Sequence, residues 1–120
     1  MLLSFDEFVQ ASVQNGAIYA IHKTRENKFD SNSLCFEESE MNDLGYKFMN
    51  ELNRIDDAIE IFKFNISLFP NSSNTYDSLG EAYFIKGNQE KALENYRKSL
   101  ELNSTNKNAQ QMLRQLRFMH

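Results

Sequence analysis

Apolar and small residues recur along this chain at two nearly equal spacings. The dipeptide Leu44-Gly45 returns as Leu79-Gly80, 35 residues later. Three further pairs recur at a spacing that is shorter by one residue, and we call this spacing the repeat period. The pairs are Ala58 with Ala92, Phe62 with Tyr96, and Pro70 with Ser104. A period of this length predicts an array in which each repeat is one pair of antiparallel helices. The one-residue difference predicts an insertion in the first copy, in the turn at residues 50–54.

The repeated positions differ in size in a way that suits two closely packed helices. Gly45 and Gly80 are predicted to lie where the second helix of each pair crosses the first, because a Cβ atom there would push the helices apart. Close packing would justify the helix-propensity penalty of a glycine, which is about 1 kcal/mol. Phe62 and Tyr96 are expected to fill the space towards the next repeat.

Helix boundaries carry signals of their own. Pro70 is expected to end the second helix of repeat 1, since proline lacks an N–H group and clashes with the preceding turn. Gly87 followed by Asn88 predicts a helix stop and then an N-cap. Asn106 is placed to cap the last helix. These signals divide the second half of the chain into helices of similar length.

The regions on either side of the two repeats also show a helical pattern. Residues 4–14 and 16–28 are predicted to form a degenerate helical hairpin, which begins with the capping box Ser4-x-x-Glu7. Residues 29–36 are predicted to form a loop into repeat 1. After repeat 2, an apolar stripe predicts a solvating helix with a polar outer face. The stripe consists of Ala109, Met112, Leu113 and Leu116.

The repeated residues resemble the tetratricopeptide repeat, whose pattern is Trp-x-x-Leu-Gly-x-x-Tyr, then Ala-x-x-x-Phe, then Pro. The copies read Met41-x-x-Leu44-Gly45-x-x-Phe48, Ala58-x-x-x-Phe62, Pro70 and Tyr76-x-x-Leu79-Gly80-x-x-Tyr83, Ala92-x-x-x-Tyr96. The resemblance covers about residues 38–106. It implies an all-α fold, a tetratricopeptide-type α-solenoid of antiparallel helix hairpins with about six to seven helices.

Four units are expected within this solenoid. They are a degenerate hairpin and loop at 1–35, repeat 1 at 36–71, repeat 2 at 72–106 and a capping helix at 107–120. Asn65 and Ser99 depart from the family pattern, which prefers Ala at both positions. Because buried polar groups nearly always find hydrogen-bond partners, Asn65 is expected to bond to the backbone.

A finer resemblance concerns the runs at residues 36–46, 62–65 and 70–83. They look like the repeat tail that follows β-lactamase-like serine hydrolase or esterase domains in bacteria. The similarity spans about residues 16–106. It implies that the chain is an accessory domain belonging to, or detached from, a larger enzyme.

Composition narrows the chemistry. The net charge is −4 and the pI is near 5.2, with basic residues spread among acids, whereas nucleic-acid binders carry a basic patch. Cys35 is the only cysteine, so no intramolecular disulfide can form, and it is expected to be a buried or half-buried small hydrophobe. His22 and His120 lie far apart, which leaves no four-ligand zinc spacing. We therefore expect no nucleic-acid partner, no metal and no cofactor.

Membrane and export signals are not evident. No apolar run reaches the ~18 residues of a membrane span. The first seven residues lack a basic region and acquire acids at once, unlike a signal peptide. These features predict a cytoplasmic chain with no membrane partner.

The sequence also lacks the motifs of a catalytic centre. There is no Gly-x-Ser-x-Gly motif and no glycine-rich phosphate loop. The Ser-x-x-Lys at 104–107 has no Ser-Asp-Asn or Lys-Thr-Gly companion. The paired acids at 37–38 and 56–57 are expected to be solvated residues in first helical turns, and His22 is expected on the surface. We expect no enzymatic activity.

The tetratricopeptide resemblance implies a concave groove lined by the first helix of each repeat, here called the A helix. The peptide-binding residues that it implies are Asn42, Tyr46, Met49, Asn74, Asp77, Glu81, Phe84 and Gln111. Asp77 and Glu81 favour a basic ligand, whereas Tyr46, Met49 and Phe84 suit an apolar side chain. The positions of a carboxylate clamp hold no cation, so no clamp is expected; they are Asn42, Tyr46, Ser78, Asn108 and Met112.

The function expected from these residues is a non-catalytic protein-interaction module that binds a peptide or protein segment in this groove. Two alternatives remain open. In the first alternative, the chain is an accessory domain of a larger serine hydrolase. In the second, it associates weakly with itself through an apolar N-terminal end. That end consists of Leu2, Leu3, Phe5, Phe8 and Val9.

Overall fold

The computed structural model describes residues 4–26 and 36–118, and every regular element in those residues is an α-helix. The helices are α1 (Phe5–Asn15), α2 (Ala17–Glu26), α3 (Glu38–Asn50), α4 (Ile55–Leu68), α5 (Ser73–Lys86), α6 (Gln89–Leu102) and α7 (Lys107–Phe118). The all-α architecture is thus confirmed. Cys35, His120 and most of the predicted loop at 29–36 lie outside the described residues.

The repeat spacing is preserved in the helices. Both ends of α6 lie one repeat period after the corresponding ends of α4, and α7 begins one repeat period after α5 begins. The turn between α3 and α4 contains residues 51–54, whereas Gly87 and Asn88 alone join α5 to α6. The longer turn includes Asn53 at φ 54°, in the left-handed region that Asn tolerates. The predicted insertion therefore lies in this turn.

The glycines of the two hairpins lie beneath aromatic rings. A Cβ atom on Gly45 would overlap the Phe62 ring, with Cε1 as the nearest atom and Cζ at 2.6 Å, and one on Gly80 would lie 3.1 Å from the Tyr96 ring. The predicted reason for the glycines is supported by these short distances. Phe62 and Tyr96 cover the glycine of their own repeat, because α3 with α4, and α5 with α6, form the most extensive helix contacts.

Predicted caps are present at three helices. Ser4 and Glu7 form the reciprocal capping box of α1. Asn88 accepts a hydrogen bond from the Lys91 N–H at 3.1 Å, and Asn106 accepts one from the Ala109 N–H at 3.1 Å. These side chains pair backbone donors that a helix start leaves without partners.

The first hairpin, α1 and α2, joins the stack through aromatic packing. Phe8 is fully buried, with ring centroids 5.2 Å from Phe36 and 5.8 Å from Phe64 on α4. The first hairpin contacts the second one, α3 and α4, through the packing of α2 against α4. The third hairpin, α5 and α6, contacts the second one through α5, which packs against both α4 and α3. The hairpin that the sequence pattern marks as degenerate therefore packs through a different pair of helices.

Arg54 and Asp57, near the start of α4, bind the turn between α1 and α2. Arg54 donates to the carbonyl oxygens of Ser12 at 3.1 Å and Val13 at 2.9 Å. Asp57 accepts from the Ala17 N–H and from the Arg54 Nε, each at 2.8 Å. The prediction that Asp57 is only a solvated acid is therefore wrong, because its carboxylate joins two helical elements.

Buried polar side chains occupy the two positions where the family pattern prefers alanine. Asn65 donates its amide to the Glu38 carbonyl at 3.1 Å, as expected, while its Oδ1 has no partner among the described residues. Ser99 exchanges hydrogen bonds with Ser73, at 2.7 Å between the hydroxyls. Each contact joins the second helix of a repeat, α4 or α6, to the start of the first helix of the same repeat, α3 or α5.

The stack measures 49 × 28 × 18 Å, and its apolar core continues from α1 to α7. In the last helix, Ala109 and Leu116 are buried while Met112 and Leu113 are partly buried, as the stripe predicts. Among the helices of residues 4–26 and 36–118, none is long and apolar enough to cross a membrane.

Candidate interaction surface

One polar surface is shared by α3, α5 and the start of α7, and we call it the A-helix face. Its members are Asn42, Tyr46, Asn74, Asp77, Ser78, Glu81, Asn106 and Asn108. Helices α3 and α5 are in contact, so side chains separated by about one repeat meet across the seam. The repeat spacing therefore brings together side chains that are distant in sequence.

The seam between α3 and α5 is closed by hydrogen bonds. The Tyr46 hydroxyl donates to Glu81 Oε2 at 2.6 Å. The Ser78 hydroxyl donates to Asn42 Oδ1 at 2.5 Å. Asn74 also donates to the carboxylate of Glu38, at 3.3 Å.

Tyr46 is half-buried, with its ring edge-on to Phe62 at a centroid distance of 5.4 Å. Burial raises the pKa of the Tyr46 hydroxyl well above its usual value, and the hydrogen bond to Glu81 raises it further. The hydroxyl consequently stays protonated at neutral pH and acts as a donor to the Glu81 carboxylate.

Asp77 is held between α5 and α7. Its carboxylate accepts from Asn108 at 2.7 Å and from Asn106 at 3.3 Å. Asn106 also caps α7 and donates to the Ser99 hydroxyl at 2.9 Å. The orientation of Asp77 is therefore tied to the position of the last helix.

Asp77 and Glu81 lie one helical turn apart on α5, so both project from the same side of the helix. In the part of the chain that the structure describes, neither carboxylate has a Lys, Arg or His nitrogen within ion-pair distance. Like charges at this spacing repel by roughly 0.2–0.5 kcal/mol on an exposed helix. The face thus carries two anchored carboxylates without a cation.

The structure brings together five of the eight sequence-predicted site residues through the hydrogen bonds described above. Phe84 is partly buried against the core and Gln111 is exposed on α7, beyond that network. Met49 departs from the prediction, because it is only 6% exposed and belongs to the core. Its side chain fills space under the helices and is not available as groove lining.

Sequence reasoning missed the role of the asparagines at the start of α7. Asn108 was considered only as a clamp position and Asn106 only as a cap, yet both donate to Asp77. The repeat spacing offers a signal for one of them, since Asn108 follows Asn74 by one repeat period. The pairing itself depends on how α7 docks.

Metal-binding clusters do not occur in residues 4–26 and 36–118. Within those residues, no group of three or more His, Cys, Asp or Glu side chains is arranged to hold an ion. His22 is exposed on α2. The chemistry of the A-helix face is therefore that of hydrogen bonds and carboxylate charge.

Comparison with known proteins defines the class of this fold. Residues 78–106 match the family model of the tetratricopeptide repeat. Together with the stacked antiparallel hairpins, this match identifies a tetratricopeptide-type all-α fold. Among solved structures, the crystal structure of MamA is similar, with a TM-score of 0.60 and 21% sequence identity.

The similarity to MamA covers 97% of this chain and 64% of the MamA chain. At this identity the likeness concerns the fold alone. No significant match was found among curated proteins. The finer resemblance to the tails of β-lactamase-like serine hydrolases is not supported by these findings.

Proposed function

We propose that this chain is a non-catalytic protein-interaction module that binds a segment of another protein on its A-helix face. The segment carries a Lys or Arg side chain, which enters between Asp77 and Glu81. The observation that carries this proposal is the pair of anchored carboxylates with no cationic partner in the described residues. A ligand cation would relieve their mutual repulsion.

The surroundings of the two carboxylates support a peptide ligand. Asn74 is exposed, so its amide can turn towards the backbone of a bound segment. Ile85 is 53% exposed near the end of α5, beside the partly buried Phe84. These residues offer an apolar contact at one end of the same surface. Tetratricopeptide and other repeat folds commonly bind partners on such extended surfaces.

The experiment compares three forms of the chain as bait in a native lysate, with mass spectrometry as the readout. The test variant is Asp77→Asn with Glu81→Gln, which removes both charges while keeping hydrogen-bond acceptors. The matched control is Glu51→Gln with Glu94→Gln, since both of these acids are exposed away from the network. The control changes the net charge equally.

The expected result is a partner that the wild type and the control capture and that the test variant loses. Raised salt should release it, because ion pairs at an exposed surface are screened. A set of captured proteins that is the same for all three forms would contradict the proposal. Circular dichroism of each form checks that the helices are retained.

A second candidate is docking through the N-terminal end, either to a larger enzyme or to another copy. It is favoured by a depression of about 260 Å³ whose apolar part consists of Phe5, Val9 and Leu44. Phe8, which was assigned to this end, is fully buried and does not contribute. A substitution Val9→Glu that leaves oligomeric state and captured partners unchanged would count against this candidate.

A further inference from the structure

The turn between α1 and α2 contains the dipeptide Asn15-Gly16, and no other asparagine of the chain is followed by glycine. Asn15 is exposed at the last position of α1, and Gly16 follows it at φ 94°. An asparagine in this sequence context is prone to spontaneous deamidation, because glycine has no Cβ atom to hinder attack by its backbone nitrogen on the asparagine side chain. The turn therefore contains a reactive amide.

The reaction requires water and no other reactant. The backbone nitrogen of Gly16 loses its proton and attacks Cγ of Asn15, and the side-chain nitrogen takes up a proton and leaves as ammonia. Water then opens the resulting cyclic imide at either of its carbonyl carbons. One opening gives aspartate. The other gives isoaspartate, in which the main chain runs through the former side chain and is longer by a methylene group.

The folded turn holds the attacking nitrogen away from this reaction. The Gly16 N–H donates to the Ser12 carbonyl at 3.0 Å, and the Gly16 carbonyl accepts from the Ala20 N–H at 3.2 Å. The nitrogen must leave its bond to Ser12 before it can turn towards the Asn15 side chain. A reaction that proceeds from an opened state follows the population of that state when opening and closing are fast. The rate at Asn15 should therefore depend on how often the turn opens.

Arg54 and Asp57 hold the main chain on both sides of the dipeptide. Before it, Arg54 donates to the carbonyl oxygens of Ser12 and Val13. After it, Asp57 accepts from the Ala17 N–H at 2.8 Å. Arg54 and Asp57 are themselves joined by a hydrogen bond of 2.8 Å between Nε and Oδ2. The distance that the chain must span between the two attachment points is thus fixed.

We propose that Asn15 is a site of spontaneous deamidation, and that conversion to isoaspartate releases the turn from Arg54 and Asp57. A main chain longer by a methylene group no longer fits both attachment points. The added negative charge also enters beside Asp57, since a Cβ atom on Gly16 would lie 3.6 Å from Asp57 Oδ1, and like charges repel. Because ammonia is lost, the converted form accumulates with the age of the molecule.

The test follows the full chain during incubation in mildly alkaline buffer, which favours loss of the backbone amide proton. Mass spectrometry of the tryptic peptide 1–23 measures conversion, since Lys23 is the first Lys or Arg of the chain. An isoaspartyl-specific methyltransferase distinguishes isoaspartate from aspartate. The same incubation in urea gives the rate of the unfolded chain. Asn71, which is exposed and followed by serine, is the internal reference.

The substitution Asp57→Ala tests whether the contacts around the turn control the rate. It removes the acceptor of the Ala17 N–H, and we expect conversion of Asn15 to be roughly fivefold faster or more than in the wild type. The matched control is Asp56→Ala, which removes the neighbouring acid, 79% exposed, and should leave the rate unchanged. If Asp57→Ala does not fold, Arg54→Gln replaces it with the same expectation.

Hydrogen exchange of fresh and aged protein tests the consequence of the modification. In the aged wild type, exchange should quicken in α1 and α2 in proportion to the isoaspartate content, and it should stay unchanged in α5 and α6. The variant Asn15→Gln should show no change after the same incubation, because its longer side chain cyclises far more slowly. Asn15→Asp adds the charge without the methylene group, so it should show only part of the effect.

Three outcomes would overturn the proposal. In the first, Asn15 of the folded chain converts no faster than Asn71. In the second, Asp57→Ala or its replacement converts at the same rate as Asp56→Ala. In the third, the aged wild type keeps the exchange rates of fresh protein despite a measured content of isoaspartate.

Discussion

Gly45 and Gly80 both allow two helices to pack closely, but the space available for a Cβ atom differs between them. The Phe62 ring leaves no space for a Cβ atom on Gly45, whereas the Tyr96 ring lies 3.1 Å from a Cβ atom on Gly80. Phe62 is fully buried, so its ring cannot simply turn outward. The sequence predicted that both glycines allow close helix packing, but not that the space beside them differs, because ring positions depend on the packing of each hairpin.

Gly45→Ala is therefore expected to destabilise the fold by about 1–3 kcal/mol, as overpacking of a core does. Gly80→Ala should cost less, since the propensity gain of alanine, about 1 kcal/mol, offsets part of a milder contact. Urea unfolding of both variants measures the difference. Adding Phe62→Leu to Gly45→Ala should recover part of the loss. A Gly45→Ala variant as stable as Gly80→Ala would show that the ring yields freely.

The tyrosines near the A-helix face link stability to alkaline pH. Burial raises the pKa of Tyr46 and of Tyr96 above the usual value of 10.0, and hydrogen bonding to Glu81 adds to the shift of Tyr46. Above pH 10 the unfolded chain loses these protons while the folded chain keeps them. The stabilisation is therefore complete below pH 10 and is lost as the pH rises further.

The expected slope is at most about 1.4 kcal/mol per pH unit for each tyrosine. Unfolding free energies measured at increasing pH above 10 test this expectation, with tyrosinate absorbance as a second readout. Tyr46→Phe should flatten the dependence. A wild-type free energy of unfolding that stays constant across this range would contradict the assignment of protonated, buried hydroxyls.

At the scale of elements, one pair of charged residues adds to the aromatic packing that attaches the first hairpin. Arg54 binds the carbonyl end of α1 while Asp57 accepts from the first N–H of α2. The sequence identified Asp57 only as an acid in a first turn. Its actual partner, the Ala17 N–H, lies far earlier in the chain, and nothing in local spacing indicates that pairing.

Asp57→Ala is expected to destabilise the chain by about 1–3 kcal/mol, because it leaves the Ala17 N–H and the Arg54 Nε–H without their acceptor. Hydrogen exchange should quicken in α1 and α2 more than in α5 and α6. The control is Asp56→Ala, whose side chain is 79% exposed and pairs only with Lys86 among the described residues. Equal effects of the two substitutions would argue against the role of Asp57 in joining the hairpins.

At the scale of the whole molecule, each hairpin is stabilised by the contact between its own two helices and by its immediate neighbours. Helices α3 to α6 have packed helices on both sides, whereas α7 makes its main contact with α6 alone. Repeat arrays behave approximately as chains of such neighbouring interfaces. The terminal elements should consequently open more readily than the centre.

Native-state hydrogen exchange is expected to rank α3 to α6 as most protected, with α7 and the first hairpin less protected. Asn106→Ala should increase exchange in α7, since loss of an N-cap costs roughly 1 kcal/mol. It should leave the exchange of α3 and α4 unchanged. Uniform exchange across all helices would mean that the stack opens as one unit.

The fourfold division at 1–35, 36–71, 72–106 and 107–120 stays a prediction, although the helices fall in the expected order. The helix ends were predictable because caps, turns and proline act through the nearest few residues. The contacts of Asp57, Met49 and Asn106 were not, because they depend on how separate helices dock.

The sequence by itself determined the repeat, the helix order and the glycine positions, since each follows from spacing within a hairpin or from local backbone chemistry. Only the tertiary structure decided which polar residues of α3, α5 and α7 meet, and that Met49 belongs to the core. The physical reason is that side-chain pairing across helices depends on the angle and depth of packing. Those quantities arise from the whole set of buried contacts and not from any one stretch of chain.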